Sequence, residues 1–343
     1  MRYRLLGKSG LRVSELCLGT MTFGEDWGWG SSQDESRRIL DAFLEAGGNF
    51  IDTANLYTNG TSESLLGEFL QGDRDRVVLA TKYTNAMPGS DPNAGGNQRK
   101  NMMRAVEASL KRLRTDYIDL YWLHIWDRIT PLEEVMRAFD DLVRQGKILH
   151  AGVSDMAAWA VARANTMAEL RGWTPFVGLQ VEYSLVERTV ERELLPMAEA
   201  LGLGVTAWSP LGGGILTGKY ASGRTQDARY GTEMMKQHMP PADRIGPVVE
   251  AVQAVAREVG RSPAQIALAW LRQRSMPIIP IVGARRFEQF RDNLACLDLR
   301  LDEIQVGHLD EVSQVELGFP HDFYGREMVR TFIYGGMRDR IDV

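Results

Sequence analysis

Eight short apolar runs, each followed by a longer amphipathic stretch, recur along most of the chain. This alternation restricts the possible folds more than any other feature. The runs cover residues 15–19, 49–52, 77–82, 117–124, 150–154, 178–180, 204–208 and 278–283. Their length and apolar character fit strands buried on both faces. Helical periodicity follows at 34–46, 64–70, 101–113, 132–145, 157–171, 193–201, 248–259 and 264–273, and once more after Arg286. Ser32…Glu35, Thr130-Pro131-Leu132-Glu133 and Ser262-Pro263-Ala264-Gln265 read as capping boxes, the last two with Pro at the first helical position. Gly47, Gly146 and Gly202 stand where helices must stop.

Strands alternating with helices require a parallel sheet, and eight units favour one that closes on itself. The expectation is an α/β chain forming a (β/α)8 TIM barrel, with residues 1–343 as a single domain. The apolar residues flanking Lys8-Ser9-Gly10 predict a short hairpin ahead of the barrel. Residues 83–97 and 211–243 are long irregular loops, a length usually associated with function.

A net charge of −5 offers no general attraction to nucleic acid or to anionic membranes, so an anionic ligand needs a local site. Cys17 and Cys296 are the only cysteines and form no metal-binding pattern; no metal is expected. The polar N-terminus and the lack of long apolar runs predict a soluble, cytoplasmic protein.

Working residues in such a barrel stand where strands end and βα loops begin. Those positions hold Asp52, Lys82 and His124, with Tyr57 five residues beyond Asp52. The four suit the reduction of a carbonyl. Hydride addition leaves an alkoxide, which must be protonated as it forms. A phenol of ordinary pKa, about 10, is too weak an acid unless a neighbouring ammonium favours its phenolate. Lys82 would supply the ammonium, Asp52 would hold Lys82 charged, and a neutral His124 would aim the carbonyl oxygen.

The stretches 47–57, Ser62-Glu63-Ser64-Leu65-Leu66-Gly67, Leu79-Ala80-Thr81-Lys82, 116–124, 146–154 and Trp208-Ser209-Pro210-Leu211 resemble the aldo-keto reductase superfamily in content and order. The likeness covers nearly the whole chain. It implies an Asp52–Tyr57–Lys82–His124 tetrad, a nicotinamide cofactor lying extended across the barrel mouth, and a hairpin plugging the opposite end.

Gly202-Leu203-Gly204-Val205-Thr206-Ala207 fits GxGxxA but runs from helix into strand, the reverse of a dinucleotide fingerprint. The small residues of Ser209-Pro210-Leu211-Gly212-Gly213-Gly214, directly after a strand, suit the approach of a pyrophosphate to backbone N–H groups. The resemblance implies that Trp208 stacks on the nicotinamide, the alternative being a core aromatic, and that Ser154, Asp155 and Gln180 hold its carboxamide. Asp155 departs from the family's usual Asn. The remaining contacts so implied are Thr20, Met21, Lys219, Gly283, Ala284, Arg285, Gln289 and Asn293, with Arg285 at a 2′-phosphate. Arg224 or Arg229 either closes over the phosphates or is merely solvated. NADPH is expected, although Gly283-Ala284 and Gln289 stand where some branches carry Lys-Ser and Arg, which leaves NADH possible.

Phe23, Trp27, Trp29, Tyr57, His124 and Trp126 are expected around the opening, an apolar collar suited to a hydrophobic or aromatic aldehyde or ketone. Trp27 and Trp29 could equally pack their own loop. The tail from Phe319 to Gly336 either folds over the opening or meets another subunit. Two other readings remain open: a nicotinamide-binding regulatory subunit like the channel-associated β subunits, and a Schiff-base lyase using Lys82.

Overall fold

The structure is a computed structural model and describes residues 1–86, 91–220 and 241–342. The chain opens with an antiparallel hairpin, β1 (Tyr3–Leu5) and β2 (Arg12–Ser14). Eight parallel strands follow: β3 (Cys17–Gly19), β4 (Phe50–Asp52), β5 (Val78–Tyr83), β6 (Ile118–Leu123), β7 (Ile148–Ser154), β8 (Phe176–Glu182), β9 (Gly204–Trp208) and β10 (Ile278–Val282). Each pairs with its successor, and β10 returns to β3 to close the barrel. The (β/α)8 expectation is met. All eight predicted runs become strands, with ends shifted by at most two residues.

Period-two alternation sorts the side chains. Every second residue along a strand faces inward, while those between meet the helices. On β5, Val78 and Ala80 join the interior cluster, whereas Leu79 and Tyr83 join the outer core beneath the helices. Leu6 and Val13 of the hairpin enter the same interior cluster as Cys17, Phe50, Leu120 and Trp122, so the hairpin does seal one end. Gly7, at φ +57°, makes this possible, because a Cβ there would lie 2.6 Å from Gly202 O and Val177 O. Trp122 fills the barrel above this plug against Gly152 and Gly178, where added side chains would overlap its ring.

Around the barrel lie α1 (Gln33–Glu45), α2 (Thr61–Phe69), α3 (Arg99–Leu113), α4 (Leu132–Arg144), α5 (Ala158–Arg171), α6 (Leu194–Leu201), α7 (Ala242–Val259), α8 (Pro263–Arg272) and α9 (Phe287–Leu294). The α4 sequence shows why they stay there: Leu132, Val135, Met136, Phe139 and Leu142 recur at helical spacing and are all buried. Glu133, Glu134, Arg137 and Arg144 stay in solvent, while Asp140 is buried.

Four local expectations need correction. Ser32 caps α1 by accepting from Glu35 N, but the Glu35 carboxylate goes to Arg38 and Phe287 N and closes no box. Thr130 does not cap α4, since its hydroxyl turns back to Asp127 and Pro131 takes the capping position without a side-chain bond. Ser262 caps α8, but the Gln265 side chain goes to Asp292 and closes no box. Helix α7 starts six residues before the expected 248, because the chain stays helical through Pro247 rather than starting beyond it. Among the described residues the reciprocal capping box joins Asp302 and Gln305 at the head of α10 (Glu303–Val312), a helix the sequence reading left out. Short helices α11 (His321–Tyr324) and α12 (Glu327–Tyr334) complete the tail. No described helix is long and apolar enough to cross a membrane.

Candidate active site

Strands β4, β5 and β6 are consecutive neighbours, with Asp52 opposite Ala80 and Lys82 opposite Trp122. Their C-terminal ends therefore bring Asp52, Lys82 and His124 to one sector of the barrel mouth. A tight turn after β4, with Thr58 and Asn59 both at positive φ, swings Tyr57 over the same sector. The Thr58 hydroxyl locks that turn by donating to Phe23 O at 2.6 Å.

Lys82 is fully buried. Its ammonium bonds the Asp52 carboxylate, Thr53 O at 2.8 Å and the Tyr57 hydroxyl at 3.2 Å. Gln180 Nε2 donates to the second Asp52 oxygen at 3.0 Å. The carboxylate is thus held from two sides and the ammonium from three. The His124 ring stands 6.0 Å from that of Tyr57, edge to face at 82°. All four predicted residues come together.

Burial is the largest influence and works against the Lys82 charge, but the Asp52 carboxylate and the Tyr57 hydroxyl together overcome it and raise the lysine pKa. A cationic Lys82 is a poor Schiff-base nucleophile, which removes the physical basis for the lyase reading. Burial, followed by the Lys82 ammonium, pushes His124 well below its usual range, so its imidazole is neutral at pH 7. For Tyr57 the expectation was a lowered pKa. Burial instead raises it, and the ammonium offsets that rise without cancelling it. At neutral pH the phenol therefore holds its proton.

Most of the residues expected to hold a cofactor stand at or just beyond the C-terminal ends of β3, β7, β8, β9 and β10. Ser154 ends β7, and its buried hydroxyl makes no hydrogen bond of normal geometry. Asp155, next in sequence at φ +45°, accepts from Trp208 Nε1 at 3.1 Å. Burial raises the Asp155 pKa, while the indole N–H and Lys82 pull it down. Ser209 is left-handed at φ +49°, and Gly212, Gly213 and Gly214 are all left-handed as well. Few side chains tolerate that backbone path, and the turn closes on itself, Gly212 N donating to Ser209 O at 2.8 Å and Gly214 N to Leu211 O at 2.9 Å.

Lys219 follows this turn. Burial and then the neighbouring Arg285 cation lower its pKa, so the loops after β9 and β10 bring two positive charges close. Thr22 and Ser31 of the first βα loop fix the second of these loops by donating to Ala284 O at 2.8 Å and Arg285 O at 3.0 Å. Gly283 packs against Gly19, where a Cβ would meet Gly19 O at 2.8 Å. Gln289 and Asn293 share one face of α9, the first exposed and the second buried. The buried Ser154 hydroxyl, a left-handed glycine turn and two cations on the loops after β9 and β10 fit the needs of a carboxamide and phosphates. The Thr20 hydroxyl is already committed to Asp52 O at 3.1 Å, and Met21 is half-buried beside it. Pro210 and Leu211 lead into the glycine turn. Arg224 and Arg229 lie outside the described residues.

The aromatic collar is only partly as expected. Trp27 meets the Tyr57 ring edge-on at 6.5 Å, and its own ring lies 5.7 Å from that of Trp29, tilted at 42°. Trp126 packs against Trp159, which the sequence reading passed over because it sits on a helix. Phe23 departs from the expected collar: it is fully buried and belongs to the outer core beneath the helices. The tail lies beside α6, with Arg192 donating to Glu316 O and His321 3.1 Å from Glu193. Asn85, also unforeseen, sits 3.0 Å from the His124 ring.

Comparison with known proteins agrees with this architecture. The profile of the Aldo/keto reductase family matches residues 15–314. A norsolorinic acid reductase of Aspergillus flavus is 38% identical over 332 residues, covering 94% of this chain and 83% of its own. An aryl-alcohol dehydrogenase [NADP(+)] of Phanerodontia chrysosporium is 37% identical over 343 residues, covering 94% and 89%. An uncharacterized oxidoreductase of Bacillus subtilis reaches 40% over 326 residues, covering 91% and 96%. With its eight-stranded closed barrel and a family match over most of its length, this chain belongs to the aldo/keto reductase family of oxidoreductases.

Proposed function

We propose that this protein reduces aromatic or otherwise hydrophobic aldehydes and ketones to alcohols with NADPH, and that Tyr57 is the proton donor. The observation that carries the reading is the Lys82 ammonium, 3.2 Å from the Tyr57 hydroxyl and fully buried with Asp52 as its counter-charge.

A neutral phenol is the correct starting state for an acid. As negative charge grows on the carbonyl oxygen, Tyr57 transfers its proton, and the adjacent ammonium stabilises the phenolate left behind. Asp52 keeps Lys82 charged throughout. His124, neutral and edge-on to Tyr57, orients the oxygen by donating from its ring. Trp27, edge-on to Tyr57 and in contact with Trp29, puts apolar surface beside this polar centre, and Trp126 stands two residues beyond His124, which suits an aryl group.

A bound nicotinamide would supply the hydride. Ser154, Asp155 and Gln180 are the residues to hold its carboxamide, Trp208 to cover its ring, and the turn from Ser209 to Gly214 to receive the pyrophosphate. Lys219 and Arg285, two neighbouring cations, favour the additional 2′-phosphate of NADPH over NADH. Gln289 and Asn293 fall to the adenine side. The relatives' names, a norsolorinic acid reductase and an NADP(+)-linked aryl-alcohol dehydrogenase, point the same way. The whole chain acts as one barrel domain, in the cytoplasm, on a small molecule.

The test is a panel of aromatic and aliphatic carbonyls assayed with each reduced cofactor. Turnover of aryl aldehydes with NADPH, with NADH markedly weaker, is the expected result. Tight cofactor binding without turnover of any carbonyl would overturn it and favour a regulatory subunit.

A further inference from the structure

We propose that Asn85 is a positioning residue that fixes the tautomer of His124. Resting on the proposed role of His124, the assignment adds a residue outside the tetrad.

Asn85 Nδ2 stands 3.0 Å from His124 Nδ1. An amide nitrogen can only donate, so Nδ1 must present its lone pair. Because the imidazole is neutral, its single proton then resides on Nε2. Without this contact the two tautomers would be free to exchange. The wrong one would offer a lone pair where a developing oxyanion needs a donor.

The backbone around Asn85 is built to hold this geometry. Thr84, immediately before it, sits at φ +107°, a conformation that a β-branched residue rarely adopts. Three bonds hold it there. Gly96 N donates to Thr84 O at 2.8 Å, Asn101 Nδ2 to the same oxygen at 3.4 Å, and Asn97 Nδ2 to the Thr84 hydroxyl at 2.9 Å. Asn55 Nδ2 adds a tether to Asn85 O at 3.3 Å.

Asn97 also couples this loop to the one that follows His124. It donates to Ile125 O at 2.9 Å and exchanges two 2.7 Å bonds with Asp127. The loops after β5 and β6 are therefore cross-linked beside the Asn85–His124 contact. A strained residue held by this many partners indicates that the direction of Asn85, and not merely loop closure, is what the backbone secures.

The chain has five histidines, few enough for nitrogen-15 NMR of histidine-labelled protein, with the His124 signal identified by its loss in His124→Gln. The expected wild-type pattern is a proton on Nε2. In Asn85→Asp a carboxylate replaces the donor, and the proton should move to Nδ1. In Asn85→Leu the two forms should mix. Both variants should lose on the order of 10- to 100-fold in kcat with a smaller change in KM, and near-ultraviolet circular dichroism would confirm that each keeps its fold.

A wild-type His124 protonated at Nδ1 would overturn the proposal, as would an Asn85→Leu protein with an unchanged Nε2–H signal. An altered tautomer with undiminished kcat would equally overturn it. The NMR readout needs no carbonyl turnover, so a failure of the proposed reaction and a failure of this assignment are separable.

Discussion

Replacing Asp52 by asparagine should create a dependence of stability on pH that Lys82 does not contribute in the wild type between pH 7 and 9. Lys82 is wholly buried and its firmest partner is the Asp52 carboxylate; Thr53 O and the Tyr57 hydroxyl are neutral. In the wild type the folded lysine pKa lies above the unfolded one. The stabilisation is therefore fully present below the unfolded value of about 10.4 and is lost only as pH rises through the higher folded value. Between pH 7 and 9 this residue contributes no slope.

The Asp52→Asn change would leave a buried ammonium without its counter-charge, a loss worth about 3–5 kcal/mol at neutral pH. Burial would then dominate and drive the folded lysine pKa below the unfolded one. Unfolding would take up one proton, giving a slope of about 1.4 kcal/mol per pH unit in favour of the folded state as pH rises. Over two pH units some 2.7 kcal/mol of the deficit should return, by roughly that slope. Urea unfolding of both proteins at pH 7, 8 and 9 measures the difference directly, and groups common to both cancel. A deficit that stays constant across the series would refute the argument that Asp52 is what keeps Lys82 charged.

Tyr57→Phe should lower kcat/KM for carbonyl reduction by about 10²- to 10⁴-fold while leaving fluorescence-measured cofactor affinity nearly intact. Because burial holds His124 neutral, the pH profile of wild-type kcat/KM should show no limb near the ordinary histidine value of about 6.5; a steep fall there would contradict the neutral imidazole. Arg285→Ala should weaken NADPH binding on the order of ten-fold and leave NADH binding little changed, as titration of each cofactor would reveal. Gly152→Ala would press a methyl into the Trp122 ring and should destabilise the barrel by about 1–3 kcal/mol in urea, with the barrel interior unable to yield.

The tetrad was legible because a barrel turns strand ends into coordinates: once 49–52, 77–82 and 117–124 are consecutive strands, Asp52, Lys82 and His124 must converge. What escaped depends on features a strand pattern does not encode. Asn85 reaches His124 only because Thr84 adopts a conformation its residue type disfavours. Trp159 sits on α5, and its contact with Trp126 follows from helix packing rather than spacing. Phe23 looked like a loop aromatic free to meet substrate, yet hydrophobic burial carried it into the core. The Thr130 cap failed because Asp127 draws Thr130 into its own turn, accepting from both its N–H and its hydroxyl. Even the sign of the Tyr57 shift turned on a balance of burial against charge that needs coordinates to judge.

The distribution of backbone strain ties these points together. Among the described residues, seven other than glycine have positive φ: Thr58, Asn59, Thr84, Arg114, Asp155, Ser209 and Arg128. Arg114 caps the C-terminal end of α3, an ordinary place for a left-handed residue. The other six all lie in loops that follow β4, β5, β6, β7 and β9, on the face where the tetrad stands. The hairpin end, which needs only to be sealed, uses a glycine for its close approach instead. Conformations costing about 1–3 kcal/mol each persist only where surrounding bonds over-determine them, and the Thr58–Phe23 and Thr84–Asn97 bonds do so here. The turn at Thr58 aims Tyr57, the one at Thr84 aims Asn85, and Asp155 turns its own carboxylate to Trp208. Strain gathered on one rim, next to residues that meet one another with defined geometry, is the mark of a site organised before its ligand arrives.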